Sequence, residues 1–288
     1  MCDHDDFDNM QKQQELSRRQ FGALGFGAGV VAMLPAVANA ADVKESEVTI
    51  KTPDGNCDAH FVHPVSGATA AVLVWPDIFG LRDSFRQMGK RMAESGYAVL
   101  TVNPFYRLQK APTSAKGASF SDPATRESLM KQAGSLNATT NVSDAKAFVA
   151  WLDSQSAVSK TRKIGTTGYC MGGPIVMRTA AAIPNRIGAG ASFHGGGLNT
   201  NDANSPHLLI PQMKANFLIA IAANDDASNP ESKNVLRKAF DDAKVKAEIE
   251  VYEGAQHGWC PPDSQVYNQV QAEKAWTELL QLFKTSLA

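Results

Sequence analysis

The chain has 288 residues, of which 43% are hydrophobic and 20% charged, and its 28 basic and 29 acidic residues leave a net charge of −1 at pH 7. This near-neutral balance argues against a nucleic acid as the partner. The cysteines lack Cys-x-x-Cys spacing, and no Gly-x-Gly-x-x-Gly or Walker pattern occurs, so we expect no metal site and no nucleotide or other cofactor.

The N-terminal residues have the layout of an export signal. Arg18-Arg19 precedes a Gly- and Ala-rich apolar stretch, residues 21–36, and Ala38-Asn39-Ala40 follows as a small-residue cleavage site. Paired arginines before such a stretch are typical of the twin-arginine route. The stretch is shorter than the ~20 residues that span a bilayer, which disfavours a membrane anchor, and an uncleaved signal is the alternative.

We therefore predict a twin-arginine-type signal peptide over residues 1–40 and a single mature domain over residues 41–288. The predicted partner of the signal is the twin-arginine export machinery, and the predicted location of the mature protein is periplasmic or secreted. No later segment is long and apolar enough to span a membrane, so we expect no stable membrane association after cleavage.

Strands and helices alternate along the mature part. Residues 46–52 and 57–63 predict an antiparallel hairpin. Further strands are predicted at 70–75, 97–102, 164–167, 187–193, 217–222 and 247–252, and helices at 83–95, 123–134, from Ser143 or Asp144 to Leu152, from Gly173 onward, and 264–283. This alternation predicts an α/β fold with a doubly wound, mostly parallel sheet that begins with the antiparallel hairpin. Residues 104–140 form a long polar excursion of the kind that covers an active site.

The pentapeptide Gly168-Tyr169-Cys170-Met171-Gly172 stands between a predicted strand and a predicted helix. It has the Gly-x-nucleophile-x-Gly pattern of the α/β-hydrolase elbow, with cysteine where serine is usual. Glycines are needed there because the nucleophile sits in strained backbone at a sharp turn. A thiol at a helix N-terminus also meets the positive end of the helix dipole, which favours the reactive thiolate. The pattern predicts a cysteine nucleophile, with a buried structural cysteine as the alternative.

A carboxylate and a histidine follow Cys170 in the chain order that this fold requires. Asp225 comes just after one predicted strand, with Asp226 as a rival, and His257 lies in a loop after the next strand. Because the carboxyl ends of parallel strands share one edge of the sheet, we expect the three side chains to meet. His257 would then move the thiol proton, and Asp225 would fix the tautomer of His257.

Among the other histidines, His194 is the main rival, since it also ends a predicted strand. It precedes Asp225 in the chain, which is the wrong order for the general base. We therefore expect His194 to line the pocket or to be a satisfied buried histidine. His60 and His63 fall on an early predicted strand, and His207 falls in a loop next to proline.

From about residue 45 to residue 285 the chain resembles the dienelactone hydrolase family of α/β-hydrolases. The stretches that carry the resemblance are Trp75-Pro76-Asp77-Ile78-Phe79-Gly80-Leu81, Asn103-Pro104-Phe105-Tyr106-Arg107, the Cys170 elbow, and the loops of Asp225 and His257. The resemblance implies an α/β-hydrolase fold, a triad of Cys170, Asp225 and His257, and an oxyanion hole. The backbone N–H groups of Ile78 and Met171 would form that hole, on the loop facing the elbow and just after the nucleophile.

Two positions depart from the family pattern. Asp77 stands where the family usually has a glutamate near the thiol, and Pro261 stands where the second of two substrate-binding arginines is usual. Arg107 matches the first of those arginines, with a surface arginine as the alternative. Asp77, Arg107 and His194 are thus the candidate substrate-binding residues, and the missing arginine weakens the expectation of an anionic dienelactone as the preferred substrate.

Together these residues predict a cysteine-dependent hydrolase of small esters or lactones, similar to dienelactone hydrolase, that acts through a thioester acyl-enzyme. The alternatives are a periplasmic thiol-redox protein, a ligand-binding protein on a hydrolase scaffold, and a glutamine-amidotransferase-like domain. The last is disfavoured because His257-Gly258-Trp259 lacks the acid that such a domain has two residues after the histidine. A disulfide between Cys57 and Cys260 is left open, since an exported protein meets an oxidising compartment.

Overall fold

An eight-stranded sheet forms the centre of the computed structural model, which describes residues 33–288. Its strands are β1 (Val43–Thr52), β2 (Gly55–Pro64), β3 (Ala71–Trp75), β4 (Ala98–Val102), β5 (Ile164–Tyr169), β6 (Ile187–Phe193), β7 (Asn216–Ala222) and β8 (Ala247–Tyr252). They lie side by side in the order β1-β2-β4-β3-β5-β6-β7-β8. β2 is antiparallel to β1 and β4, and the other neighbours are parallel. The predicted fold class is confirmed.

Within the described residues the connecting helices are α1 (Asp83–Glu94), α2 (Pro123–Ala133), α3 (Ala138–Ser154), α4 (Gly172–Ala182), α5 (Ala223–Ser228), α6 (Ser232–Asp242) and α7 (Gln269–Ser286), with a 3₁₀ helix at Pro206–Gln212. The start predicted for α3, Ser143 or Asp144, is wrong. The helix begins earlier because the Asn137 side chain accepts the N–H of Thr140, whose hydroxyl in turn accepts the N–H of Asn137. This reciprocal capping box satisfies backbone donors that are otherwise free at a helix start.

Helices cover both faces of the sheet. α1 and α7 pack on one face, through residues such as Phe85 and Phe283, while α3, α4 and α6 pack on the other, through residues such as Phe148 and Phe240. Every residue of β3 and β5 is consequently buried, as expected for a parallel sheet that is covered on both sides. The carboxyl ends of the parallel strands all lead into loops at one edge of the sheet, where binding sites of such folds lie.

The outer strands of the sheet are β1 and β8. Exposed charged residues are spaced along β1, among them Lys44, Glu45 and Glu47, and β8 carries Glu248 and Glu250. Several of these charged side chains form salt bridges with basic residues of the helices that cover the sheet. Glu47 accepts two hydrogen bonds from Arg86 of α1, for example, at 2.7 and 3.2 Å.

Cys57, Cys170 and Cys260 carry free thiols. Cys57 belongs to the core on one face of the sheet, and Cys260 belongs to the core on the opposite face. The sheet therefore separates the two thiols, and the disulfide that the sequence left open does not form. Burial raises the pKa of both thiols, so neither is prone to ionise.

The described part of the N-terminal segment lies against the domain. Leu34 packs beside Met88 of α1 and Trp276 of α7, and the N–H of Ala41 donates to the carbonyl oxygen of Glu94 at 2.9 Å. The arginine pair of the predicted signal, and most of its apolar stretch, lie outside the described residues. Between residues 33 and 288, none of the helices combines the length and apolar character that a membrane crossing requires.

Candidate active site

Cys170 stands at the sharp turn between β5 and α4, with a φ of +53°. That left-handed conformation is strained for any residue with a Cβ. The turn is possible because its glycines leave room for neighbouring backbone: a Cβ on Gly168 would lie 2.3 Å from the carbonyl oxygen of Gly172. A Cβ on Gly172 would lie 2.5 Å from the carbonyl oxygen of Trp75. The glycines thus bring the end of β3 directly against the elbow.

The backbone N–H of Cys170 is held by two acceptors. It donates to the carbonyl oxygen of Phe193 at 3.0 Å and to Nδ1 of His194 at 3.1 Å. The elbow is therefore fixed to the end of β6, the neighbouring parallel strand. Cys170 remains partly exposed.

His257 and Asp225 form a hydrogen-bonded pair on neighbouring loops, with 2.8 Å between Nδ1 of His257 and Oδ2 of Asp225. Asn224 reinforces the pair, since its Oδ1 accepts the backbone N–H of His257 at 2.8 Å. The rival carboxylate, Asp226, accepts Lys233 Nζ through both oxygens at 2.6 Å. Asp225 rather than Asp226 is therefore the carboxylate that orients the histidine.

The surroundings of His257 favour its protonated form. Burial disfavours the imidazolium, but hydrogen bonds with Asp225 and Cys170, and the charges of both groups, outweigh it and raise the pKa of His257 to about 10. His257 also packs against His194, the ring that accepts the N–H of Cys170, so the imidazole and the elbow meet around the same side chain. Asp225 balances the charge of the imidazolium when His257 is protonated.

His194 is buried beneath this pair, with a side chain that is nearly inaccessible and a φ of +42°. Because its Nδ1 accepts the N–H of Cys170, the ring is neutral with its proton on Nε2. Burial and the nearby charge of His257 lower the pKa of His194 well below its usual value. Its ring packs edge to face against His257, with 4.9 Å between the ring centroids. Because His194 is uncharged, this contact brings no second positive charge next to the imidazolium of His257.

The two predicted oxyanion donors lie where the loop after β3 meets the elbow. In the part of the chain that the structure describes, neither the N–H of Ile78 nor that of Met171 has a protein acceptor. The polar excursion steadies this loop, since the hydroxyls of Thr113 and Ser114 donate to the carbonyl oxygen of Phe79 at 3.3 and 3.0 Å. Both free N–H groups are thus available to a ligand oxygen.

Asp77 is bound by an arginine that the sequence reading missed. Arg82 donates to both oxygens of Asp77 at 2.7 and 3.0 Å, and also to both oxygens of Asp263. The backbone N–H of Phe79 adds a further bond to Asp77 at 2.9 Å. Asp77 therefore fixes the loop that carries Ile78 and ties it to the loop after His257. The short distance in sequence between Asp77 and Arg82, five residues, is the feature from which this ion pair could have been predicted.

Arg107 is also engaged within the protein. It donates to Asp54, in the turn between β1 and β2, at 2.6 and 3.0 Å, and to both oxygens of Asp144 on α3 at 2.7 and 2.8 Å. The same Asp144 accepts the hydroxyl of Tyr106 at 2.7 Å. The guanidinium thus links the hairpin to a helix, and its role in substrate binding stays a prediction.

A cavity of about 190 Å³ opens beside His257 and Asp225. The segment after β6 forms one wall and helices α5 and α6 form the other, with the lining residues Gly195, Gly196, Gly197, Leu198, Asn199, Ile221, Asp225, Asp226, Ser228, Asn229, Ser232, Leu236 and His257. The cavity adjoins the elbow helix, because a Cβ on Gly173 would lie 2.7 Å from the Cα of Gly195.

Three acidic side chains outside this region lie close enough to share a metal ion among the described residues: Glu248, Glu250 and Glu278. Lys274 already forms salt bridges with Glu250 and Glu278. The group lies at the outer strand of the sheet and not among the candidate catalytic residues.

The fold and the site together define an α/β-hydrolase. A mostly parallel sheet carries a strained nucleophile elbow after β5 and a paired acid and histidine after β7 and β8, which is the chain order of that class. Within the class, the chain belongs to the dienelactone hydrolase family, whose model matches residues 57–287. The chain is therefore a hydrolase.

Comparison with individual proteins agrees with this family. A Synechocystis protein described as "Putative carboxymethylenebutenolidase" is 28% identical over 250 residues, covering 85% of this chain and 98% of that protein. A "Carboxymethylenebutenolidase" from Rhodococcus opacus is 24% identical over 212 residues, covering 73% and 78%. The crystal structure of a "Putative Dienelactone Hydrolase" from Klebsiella pneumoniae superimposes with a TM-score of 0.73 at 22% identity, covering 84% and 99%, which shows the shared fold.

Proposed function

We propose that the chain is a cysteine-dependent hydrolase of small lactones or esters, with Cys170 as nucleophile and His257 and Asp225 as its proton-transfer pair. The observation that carries this proposal combines two features: a cysteine in strained elbow backbone, and a histidine bound to a carboxylate at 2.8 Å. Both the cysteine and the histidine contact the ring of His194. The family and its carboxymethylenebutenolidase relatives support the substrate class.

In the proposed mechanism, the Cys170 thiolate attacks the carbonyl carbon, and the carbonyl oxygen becomes an oxyanion that accepts the N–H groups of Ile78 and Met171. When the tetrahedral intermediate collapses, the C–O bond breaks and the leaving alkoxide takes the proton of His257. His257 then removes a proton from water, which attacks the thioester. Collapse of the second intermediate releases the acid and restores the thiolate and the imidazolium.

The test is the initial rate of hydrolysis of cis-dienelactone and of p-nitrophenyl acetate by residues 41–288 and by its Cys170→Ala variant. We expect the variant to lose at least about 10³-fold in rate on every ester that the unmutated protein cleaves, because the nucleophile is lost. Cys57→Ala, which removes a buried thiol of β2, is the matched control and should retain the rate. Full activity of Cys170→Ala would refute the mechanism and favour a different role for the thiol.

We also propose that the protein is exported by the twin-arginine route and works outside the cytoplasm. The arginine pair Arg18-Arg19 and the small residues before Ala41 support this proposal. Replacing both arginines by lysine should leave the uncleaved chain in the cytoplasm, as measured by cell fractionation and N-terminal sequencing. Processing after Ala40 that is unaffected by the double variant would contradict it.

A further inference from the structure

The cavity beside His257 offers a place for part of the substrate that the catalytic residues do not touch. Its volume of about 190 Å³ is more than ten times the roughly 10–15 Å³ that one water molecule requires, enough for a small ring or a short side group. One wall contains Asp225 and His257 themselves, so a group bound there lies next to the proton-transfer pair.

The charged side chains of the cavity wall are already paired with each other or with a neighbour. Asp225 is bonded to the His257 imidazole at 2.8 Å, and Asp226 is bonded to Lys233 at 2.6 Å. The remaining polar side chains of the wall, on Asn199, Ser228, Asn229 and Ser232, are uncharged. The hydroxyls of Ser228 and Ser232 already donate within the protein, so the wall offers the side-chain N–H groups of Asn199 and Asn229 but no unpaired charge.

The nearby arginines do not supply a free cation to this cavity. Arg82 is held by Asp77 and Asp263, and Arg107 is held by Asp54 and Asp144. Arg178 of α4 donates to a backbone carbonyl at 3.3 Å and does not line the cavity. A carboxylate entering the cavity would give up its hydration without gaining an unpaired counter-charge, because the imidazole of His257 and the ammonium of Lys233 are already bound to Asp225 and Asp226, and this is unfavourable.

We propose that this cavity binds an uncharged, hydrogen-bonding part of the substrate, so that the enzyme prefers neutral lactones or esters over lactones that carry a carboxylate. This inference rests on the proposed hydrolase function. It assigns the cavity to specificity and leaves the bond-breaking steps to Cys170 and His257.

The test compares two forms of one lactone: cis-dienelactone, which is an anion, and its primary amide, which is neutral and has the same ring ester. We expect kcat/KM to be at least about ten-fold higher for the amide. Titration of the Cys170→Ala variant should show the same order of affinities without turnover. Equal or better use of the carboxylate would overturn the inference while leaving the hydrolase function intact. Loss of activity on both lactones and on p-nitrophenyl acetate would overturn both.

A single substitution tests whether the cavity is responsible. Asp226→Asn removes one carboxylate and frees the Lys233 ammonium beside the cavity, so it should shift the ratio of kcat/KM toward the anionic lactone by about ten-fold. Asp242→Asn is the matched control, because it frees Lys238 on the same helix from an exposed pair of 2.7 Å. An unchanged ratio in Asp226→Asn, or an equal shift in both variants, would show that the cavity does not select the substrate.

Discussion

The protonated state of His257 depends on two neighbours, Asp225 and Cys170, which both favour the imidazolium. Asp225 is the main favourable partner of the imidazolium, which is why the pKa of His257 is raised to about 10 although burial acts against it. In the proposed mechanism the acid that protonates the leaving group is therefore present throughout the neutral range. It is lost only when the pH rises through that value.

Activity should accordingly depend on pH in a way that Asp225 controls. We expect kcat/KM on a neutral ester to fall as the pH passes about 10, and Asp225→Asn to move this fall about 1–3 pH units lower, besides reducing the rate. The profile is measured with the spontaneous hydrolysis at each pH subtracted. An alkaline limit that stays in place in Asp225→Asn would show that another group sets it.

His194 is expected to position the nucleophile without touching the substrate. His194→Phe keeps a ring of similar size but removes one of the two acceptors of the Cys170 N–H. The loss of this bond is worth roughly 0.5–1.5 kcal/mol, or about 2- to 10-fold in kcat/KM. The rate of Cys170 alkylation by iodoacetamide should change with it, while KM should not. His63→Phe, on β2, is the control. If both variants behave alike, the ring of His194 serves packing alone.

At the scale of secondary structure, the close contact between the elbow and β3 requires a glycine at position 172. A Cβ on Gly172 would approach the backbone of Trp75 to 2.5 Å, and backbone cannot swing aside as a side chain can. Since Trp75 leads into the loop with Ile78, any outward shift of the elbow moves the thiol away from the N–H of Ile78, one of the two proposed oxyanion donors.

Gly172→Ala should therefore lower both stability and rate. We expect a loss of about 2–3 kcal/mol in the free energy of unfolding, from urea denaturation, because overpacking of a close contact costs that much. Gly134→Ala is the control: its Cβ would meet only ordinary contacts of 3.4–3.5 Å at the end of α2, so stability should change by less than about 1 kcal/mol. Equal stability of the two variants would mean that the elbow has room to relax.

The strands and helices around the site can be predicted from local sequence, whereas ion pairs between residues far apart in the chain cannot. The bounds predicted for β6 and β8 coincide with the structure. A short run of small and apolar residues marks β6, and alternation of apolar and acidic residues marks β8. The order of Cys170, Asp225 and His257 places the candidate catalytic residues, since parallel strands end at one edge. The partners of Arg107 lie 53 and 37 residues away, and no local pattern indicates such long-range pairing.

The whole molecule keeps its buried cysteines apart on the two faces of the sheet, so residues 41–288 should contain three free thiols. We expect one of them, Cys170, to react with Ellman's reagent in the native protein and all three to react after unfolding without reductant. Cys57 and Cys260 are buried with raised pKa values, which accounts for their slow reaction. Only one thiol in the unfolded protein would instead reveal a disulfide.

The charges along β1 and β8 bear on how the molecule behaves at high concentration. A sheet that ends in bare, apolar strands can recruit the backbone of another chain and so begin an aggregate. A strand of another chain that paired with β1 would lie beside the charged residues Lys44, Glu45 and Glu47. A strand that paired with β8 would lie beside Glu248 and Glu250. Charged residues on both outer strands thus disfavour the addition of further strands to the sheet. The same residues protect neighbouring copies of the protein against fibril formation.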